Sequence, residues 1–177
     1  MKNIAHVLSL AFVLALSSGS MAQAEDALVH EGVVYARPDL VWAAFTTRAG
    51  MESWMTAHAE IDLRVGGSMK TQYDPKGTVS DATAIQNTIL SYEPMRMLSF
   101  KVSRAPEGFP FPNAIKSMWT VVYFEAVGDT ATRVREVSLG FGGDDESKKM
   151  REFFDRGNEY TLQELQKHFA AKPDVPH

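Results

Sequence analysis

The stretch that decides the fold runs from Glu146 to Ala170 and reads ESKKMREFFDRGNEYTLQELQKHFA. At about 100° per residue it forms one long amphipathic helix, because its apolar residues fall on one broad face and most of its charged residues fall elsewhere. Such a helix must lie against a large apolar surface. The predicted inner face consists of Met150, Phe153, Phe154, Gly157, Thr161, Leu165 and Phe169.

The centre of this face is unusual, because Gly157, Asn158 and Thr161 lie between bulky residues. A glycine inside a helix costs about 1 kcal/mol relative to alanine, and a buried amide needs hydrogen-bond partners. One interpretation is a close crossing of helix and sheet, or an Asn158 side chain bonded to a neighbouring backbone. The other is that the small, polar centre of the helix faces a hollow that holds a ligand or water.

The composition is that of an ordinary globular protein: of 177 residues, 45% are hydrophobic and 23% charged, and the formal net charge is −4. No run of Lys or Arg is present to release counterions, so we expect no nucleic-acid partner. The chain contains no Cys, which excludes disulfides, thiolate metal sites and cysteine nucleophiles. An apolar core must therefore hold the fold together.

The first 24 residues are typical of a cleavable targeting signal. Lys2 provides a positive start, Val7 to Leu16 is an apolar run too short to span a bilayer, and Ala22-Gln23-Ala24 is a small-x-small cleavage site. We therefore expect export to the periplasm or outside the cell, and no membrane span after cleavage. The mature domain is predicted over residues 25–171, with residues 172–177 as a flexible tail.

The chain after this signal alternates β-rich runs with glycine and proline turns. The first strand is followed by a break at Pro38 and two short helices, Leu40–Thr46 and Arg48–Met55. Asp144 or Asp145 is the predicted N-cap of the long helix. The predicted strands are Leu28–Ala36, His58–Val65, Ser68–Tyr73, Thr83–Tyr92, Met97–Ser103, Lys116–Val127 and Thr132–Phe141.

This order of elements predicts the fold class. Short hairpin turns make neighbouring strands antiparallel, and the resulting sheet needs one apolar face covered. Only the long helix is large enough to cover it. We therefore predict an α+β fold with two short helices after the first strand, in which a curled antiparallel sheet of about six to seven strands grips the C-terminal helix.

Several segments resemble homologues of the activator of the heat-shock protein 90 ATPase. That family belongs to the START-like, or SRPBCC, superfamily, and the resemblance implies its helix-grip fold. The match covers nearly all of the chain after the signal and consists mostly of turns and core positions. The matching segments are Ala36–Thr46, Trp54, Ile61–Gly67, Asp74–Gly77, Ile89–Phe100 and Glu125–Arg133.

The resemblance also implies a deep cavity between the sheet and the long helix. Relatives use this cavity for lipids, sterols, aromatic polyketides or other apolar small molecules. The chain departs from the family in two places. Many relatives carry Gly-Trp in the last helix where this chain has Gly157-Asn158. The namesake activity concerns a cytosolic chaperone, whereas this chain begins with an export signal.

Glu136 is the most informative polar residue. It shares a strand face with Val134 and Ser138, and the resemblance places Val134 on the cavity side. A carboxyl group there would lose hydration and its pKa would rise, as suits a ligand anchor or a general acid. The alternative is a twisted or bulged strand that turns Glu136 toward water or a nearby arginine.

The other candidate ligand-binding residues follow from strand parity and from the helix face. Phe124 matches an inward position of the family, so alternate residues of its strand face inward while Trp119 and Tyr123 face outward. An alternative for all the apolar candidates is that they simply fill the core. The predicted ligand-binding residues are Trp54, Met118, Thr120, Val122, Glu136, Phe154, Asn158 and Thr161.

The loop Arg104–Asn113 contains three prolines and two phenylalanines, Phe109 and Phe111. Exposing both rings to water would cost free energy. We expect the loop to be a flap over the cavity mouth, a docking surface, or a segment packed on the edge of its own sheet.

No metal or cofactor is expected. His58 and Glu60 share a strand face, but two ligands do not make a site. The acidic run Asp144–Glu146 is better explained by helix capping than by calcium binding. The sequence has no phosphate-binding glycine loop, nucleophile elbow or Ser/His/Asp pattern.

These observations leave three functions open. The first is an exported, non-enzymatic binding protein for a small hydrophobic or aromatic molecule that Glu136 or Asn158 orients. The second is a cyclase, dehydratase or hydrolase on the same scaffold, with Glu136 as acid and base. The third is a periplasmic chaperone-like domain that binds a protein partner, which the residues do not identify, through the loop with Phe109 and Phe111.

The export signal makes a direct prediction. N-terminal sequencing of the exported protein should begin at Glu25, because cleavage is expected after Ala24. Recovery of the mature protein with an intact Met1 would contradict this prediction.

Overall fold

The structure is a computed structural model that describes residues 27–170. The predicted signal (residues 1–24) and tail (residues 172–177) lie outside the described residues. A short 3-10 helix, Ala114–Lys116, interrupts the connection between the fifth and sixth strands. The main elements are β1 Leu28–Val34, α1 Pro38–Thr46, α2 Arg48–Glu52, β2 His58–Ile61, β3 Ser68–Gln72, β4 Ile85–Glu93, β5 Met97–Arg104, β6 Trp119–Val127, β7 Ala131–Leu139 and α3 Asp145–Ala170.

The seven strands form one antiparallel sheet in the order β1-β7-β6-β5-β4-β3-β2. The first strand returns to pair with the last, so that Leu28 lies opposite Ser138 and Val34 opposite Thr132. The remaining strands are joined in sequence order and curl away from this pair. The long helix α3 contacts β1 in particular. The predicted helix-grip α+β fold is therefore confirmed.

The two short helices brace the sheet between β1 and β2. Pro38 opens α1, where its missing N–H costs nothing, and Val41 and Ala44 are buried. The second helix is shorter than predicted and ends at Glu52 rather than Met55. The Glu52 carboxylate accepts the Ala59 backbone N–H at 2.9 Å, which draws the chain into β2.

The N-terminus of α3 is capped by Asp144, one of the two predicted residues. Its carboxylate accepts the backbone N–H of Ser147 at 3.0 Å and the Ser147 hydroxyl at 2.8 Å. These two bonds hold the pKa of Asp144 below its ordinary value. Asp144 of the acidic run is therefore a helix cap, as predicted.

The inner face of α3 is centred on Asn158 and not on Gly157. Ser147, Met150, Asn158 and Leu165 are buried, with Asn158 only 8% exposed. Gly157 is exposed, so its predicted inward position is wrong. Bulky apolar residues alone do not mark the inner face of this helix, because two of its buried residues, Ser147 and Asn158, are polar.

Three apolar clusters fill the space between the sheet and the helices. The first lies under the C-terminal half of α3 and includes Val34, Leu98 and Leu165, whereas the second lies at its N-terminal end and includes Met118 and Met150. The third cluster joins α2 to the far edge of the sheet. Because the two ends of α3 belong to separate clusters, the helix spans the sheet without filling the space beneath its middle.

The helix and the sheet lie close together at Gly32 on β1. A Cβ at this position would lie 3.1 Å from a methyl carbon of Leu162 and 2.8 Å from the side-chain amide nitrogen of Gln166. That nitrogen donates to the Val33 carbonyl at 3.0 Å. This close contact is therefore one to two turns beyond Asn158, at the end of α3 where the core is filled.

Within residues 27–170, the helices lack either the length or the apolar content that crossing a membrane requires.

Two glycines give opposite predictions for the same substitution. A methyl group on Gly157 would meet no atom within 4 Å, so Gly157→Ala should raise the free energy of unfolding by about 0.5–1 kcal/mol. Gly140 has φ 83°, and a Cβ there would collide with the carbonyl of Ser117. Gly140→Ala should lower the free energy of unfolding by about 1–3 kcal/mol. Urea denaturation measures both, and the opposite order of the two variants would contradict the prediction.

Candidate functional site

A cavity of about 300 Å³ lies between the sheet and the N-terminal half of α3. This volume is at the lower end of the range of about 300–1,000 Å³ that is common for small-molecule sites. Strands β3 to β7 provide its floor, Phe154 and Asn158 its roof, and the connection from β5 to β6 one of its sides. The cavity occupies the space that the core clusters leave open beneath the middle of α3.

The cavity walls are mainly apolar. Thioether and aromatic side chains dominate, and the thioethers allow the shape of the wall to adapt to a guest. The polar lining is sparse and comes mostly from threonine, asparagine and one carboxyl group. The principal apolar residues are Met55, Met69, Ile85, Phe100, Met118 and Phe154.

Five of the eight predicted ligand-binding residues line this cavity. They come from β6 and the residue before it, from β7 and from α3, because β6 and β7 are neighbours in the sheet and α3 crosses over them. The structure therefore brings together side chains that are up to 40 residues apart in the sequence. The five are Met118, Thr120, Glu136, Phe154 and Asn158.

Trp54 lies elsewhere, in the first apolar cluster. Its ring packs against Phe45 with the centroids 5.3 Å apart. Its indole N–H donates to the Ala44 carbonyl at 3.1 Å. Both contacts fix Trp54 to α1, and this is why it does not line the cavity.

Val122 and Thr161 also lie outside the cavity lining. Val122 faces inward but is 2% exposed and belongs to the first cluster, under the filled half of α3. The Thr161 hydroxyl donates to the Gly157 carbonyl one turn earlier, at 2.8 Å. Of the predicted outward residues of β6, Tyr123 is 42% exposed and does not line the cavity, whereas Trp119 is 37% exposed and also contributes to the cavity lining.

Sequence reasoning missed the part of the wall contributed by β3 and β5. Met69 and Thr71 alternate on β3, and Phe100 and Val102 alternate on β5. This period of two was available in the sequence as a signal for one shared face. Which half of that face meets the open space depends on the packing of α3.

Glu136 lies at the centre of β7 and lines the cavity. The side chain is therefore directed inward, and the alternative of a strand that turns it toward water does not hold. Glu136 is opposite Val122 on β6 and His30 on β1. Among residues 27–170 its carboxyl group makes no hydrogen bond or ion pair within contact distance. Burial raises the pKa of Glu136 to about 7, because the surrounding protein disfavours the charged form.

A short hydrogen-bonded chain runs beside Glu136 on the same wall. The Asn158 side-chain amide donates to the Ser138 hydroxyl at 3.3 Å, and the hydroxyls of Ser138 and Thr120 are 3.4 Å apart. This chain joins the middle of α3 to β7 and β6. It uses one N–H group of the Asn158 amide, and the side-chain carbonyl oxygen of Asn158 has no partner among residues 27–170.

His30 is a further inward residue that sequence reasoning missed. Its Nε2 is 3.0 Å from a carboxylate oxygen of Asp155 on α3, and its Nδ1 is buried without a partner in the described part of the chain. Because Asp155 accepts, Nε2 carries the proton. His30 therefore ties β1 to α3 on the side of Glu136 away from β6.

The loop with Phe109 and Phe111 packs on α3 and borders the cavity. Its rings stack edge-to-face with each other and with Phe153, at centroid distances between 5.6 and 6.0 Å. Phe109 also lines the cavity, together with Phe154. Phe109 and Phe111 also belong to the second apolar cluster together with Val102 of β5, so the loop contacts both the helix and the sheet. The three expectations for this loop stay predictions.

The Glu146 carboxylate fastens this loop to the first turn of α3. One oxygen accepts the backbone N–H groups of Asn113 at 2.8 Å and Ala114 at 3.1 Å. The Ala114 bond, followed by the Asn113 bond, lowers the pKa of Glu146. The loop and the helix are therefore held together by a charge-assisted contact at one end of the cavity.

The described residues contain no cluster of three or more His, Asp or Glu side chains that could hold a metal ion. His58 instead bonds the Pro75 carbonyl at 3.1 Å, and Glu60 pairs with Lys70 at 2.9 Å.

Comparison with known families places this geometry among related folds. The profile of the activator of Hsp90 ATPase homolog 1-like proteins matches residues 35–170. No curated protein matches the sequence at a significant level.

Solved structures with a similar fold include three bacterial proteins. One from Mesorhizobium loti has a TM-score of 0.65 and 17% identity, over 84% of this chain and 99% of that one. The Aha1 dimer of Colwellia psychrerythraea has a TM-score of 0.62 and 16% identity, over 81% of this chain and 95% of that one. CalU16 of Micromonospora echinospora has a TM-score of 0.59 and 22% identity, over 82% and 75%. These identities establish similarity of fold alone.

The raised pKa of Glu136 predicts a pH-dependent stability. The carboxyl pKa is about 7 in the folded protein against an ordinary value of 4.5, so the folded state binds the proton more tightly and stability falls as pH rises between these values. Glu136→Gln cannot ionise. Its free energy of unfolding, relative to that of the wild type, should therefore be up to about 3 kcal/mol higher above pH 7 than at pH 4.

Urea denaturation of both proteins between about pH 4 and pH 9 measures this difference. The matched control is Glu125→Gln, which changes an exposed carboxylate on the neighbouring strand. Parallel pH profiles for Glu136→Gln and the wild type would show that Glu136 is not buried as described.

Proposed function

This chain belongs to the family of activator of Hsp90 ATPase homolog 1-like proteins, and we propose that it is an exported protein that binds a small hydrophobic or aromatic molecule beneath α3. The family provides a START-like, ligand-binding scaffold. The observation that carries the proposal is the apolar cavity of about 300 Å³ with one buried carboxyl group in its wall.

The energetics of the cavity favour an apolar guest. Removing about 200 Å² of apolar guest surface from water is worth about 5 kcal/mol before the cost of association is subtracted. The thioethers of Met55, Met69 and Met118 allow the wall to fit guests of different outline. Most of the wall is apolar, so water molecules inside the cavity would find few hydrogen-bond partners there.

Export is part of the proposal and is supported by the first 24 residues. Lys2, the apolar run Val7–Leu16 and the Ala22-Gln23-Ala24 site form the expected order of a signal peptide. An exported protein does not meet the cytosolic ATP-driven chaperone of the family name. We therefore assign the binding function to the periplasm or the exterior of the cell.

An acid–base enzyme is the second candidate, and the raised pKa of Glu136 is the observation that favours it. A carboxyl group that titrates near neutral pH can donate and accept a proton during turnover. Within residues 27–170, however, Glu136 is the only carboxyl group in the cavity lining. A hydrolase or dehydratase needs a second positioned group, so binding without turnover is the better supported function.

Native mass spectrometry of freshly purified protein tests the proposal directly. A bound small molecule is the expected result, and its release unchanged after incubation would distinguish a binding protein from an enzyme. Conversion of the released molecule would favour the enzyme. A protein that is empty and binds no hydrophobic probe would contradict the binding function.

A pair of substitutions tests where the guest binds. Ala105 lines the cavity, so Ala105→Phe should fill part of it and weaken binding of the neutral fluorescent probe N-phenyl-1-naphthylamine by about fivefold or more. Ala126 is exposed on β6, and Ala126→Phe is the matched control that should leave the affinity unchanged. Equal affinities for the two variants, measured by fluorescence titration, would place the probe elsewhere.

A further inference from the structure

We propose that the guest of this cavity carries a protonated amine that binds to Glu136, so that the protein selects amphiphilic cations over neutral molecules of the same shape. This inference rests on the proposed function and names the chemical class of its ligand. It follows from the kinds of polar atom in the cavity wall and from the charges around them.

Three side-chain oxygens of the cavity wall are hydrogen-bond acceptors without a partner. The two carboxyl oxygens of Glu136 have no partner in the described part of the chain, and neither has the side-chain carbonyl of Asn158. One of the two N–H groups of the Asn158 side chain bonds Ser138 at 3.3 Å. A guest that satisfies the oxygens of Glu136 and Asn158 must bring donors of its own.

An ammonium group satisfies this wall better than a hydroxyl group. It offers three donors where a hydroxyl offers one, and its charge removes much of the cost of ionising a carboxyl group away from water. The rings of Phe100, Phe109 and Phe154 also line the cavity. Aromatic faces attract a cation as well as the apolar body that carries it.

Within residues 27–170, the charged side chains near Glu136 form no ion pair with its carboxylate. From β1, His30 lies directly across the sheet from Glu136, but its ring is bonded to Asp155 of α3 at 3.0 Å. From β5, Lys101 lines the rim of the cavity and is exposed, and none of the ion pairs within residues 27–170 joins it to Glu136. No cation of the described chain therefore neutralises the Glu136 carboxylate.

The surrounding elements add little that would compete with a guest. The neighbours of Glu136 on β6 are Thr120 and Val122, which are uncharged. Tyr73, which follows β3, contributes one hydroxyl group to the lining, and Thr71 of β3 and Asn87 of β4 add uncharged polar groups. The Asp155 carboxylate, which is bonded to His30, adds a second negative charge and makes the local electrostatic potential more favourable for cations.

Isothermal titration with a matched pair of ligands tests the inference. The probes are 2-(naphthalen-1-yl)ethylamine and 2-(naphthalen-1-yl)ethanol, which share one apolar body and differ in the head group. At about pH 8 the amine should bind the wild type about tenfold more tightly than the alcohol, as expected for a charge-assisted hydrogen bond. This preference should shrink at about pH 5.5, because Glu136 then holds its proton.

Two variants locate the preference. Glu136→Gln should abolish the preference for the amine while still binding the alcohol, and the control Glu125→Gln, an exposed carboxylate, should keep it. Equal binding of amine and alcohol by the wild type, or an amine preference that survives in Glu136→Gln, would overturn the inference and leave the proposed binding function intact. Failure of the wild type to bind either probe would overturn both.

Discussion

The structure depends on the way α3 is anchored across the curled sheet. Met150 holds one end of the helix in one apolar cluster and Leu165 holds the other end in a second cluster. Because both ends are fixed by burial, the middle of the helix does not have to contribute packing energy. Asn158 can therefore take a central, buried position with a single hydrogen bond to Ser138, and the space beneath it stays open.

This arrangement separates the residues that stabilise the fold from those that line the cavity. The filled half of the sheet carries the close contact at Gly32, where α3 and β1 leave no room for a side chain. The open half carries Glu136, whose burial without a partner costs stability at neutral pH. A group that is retained at a cost to stability, in a domain whose core is elsewhere complete, is typical of a functional site.

The sequence predicts the architecture well because local signals agree with one another. The long helix α3, its cap at Asp144 and the antiparallel pairing of β6 and β7 appear in the structure as expected, although the inner face of α3 is centred on Asn158 and not on Gly157. The site was harder to predict, since lining the cavity depends on where along α3 the core stops. Trp54 and Val122 face inward but lie on the filled side, and no local pattern distinguishes that side from the open one.

The contact between Glu146 and the loop at Asn113 and Ala114 has a consequence for local opening of the domain. The first turn of a helix frays more readily than its middle. The Glu146 carboxylate and the Phe153 ring tie the N-terminal part of α3 to the loop beside the cavity, whereas Leu165 holds the far end of the helix in the core. The side of the cavity that this loop forms is therefore coupled to fraying of the helix end and not to the anchored half of the fold.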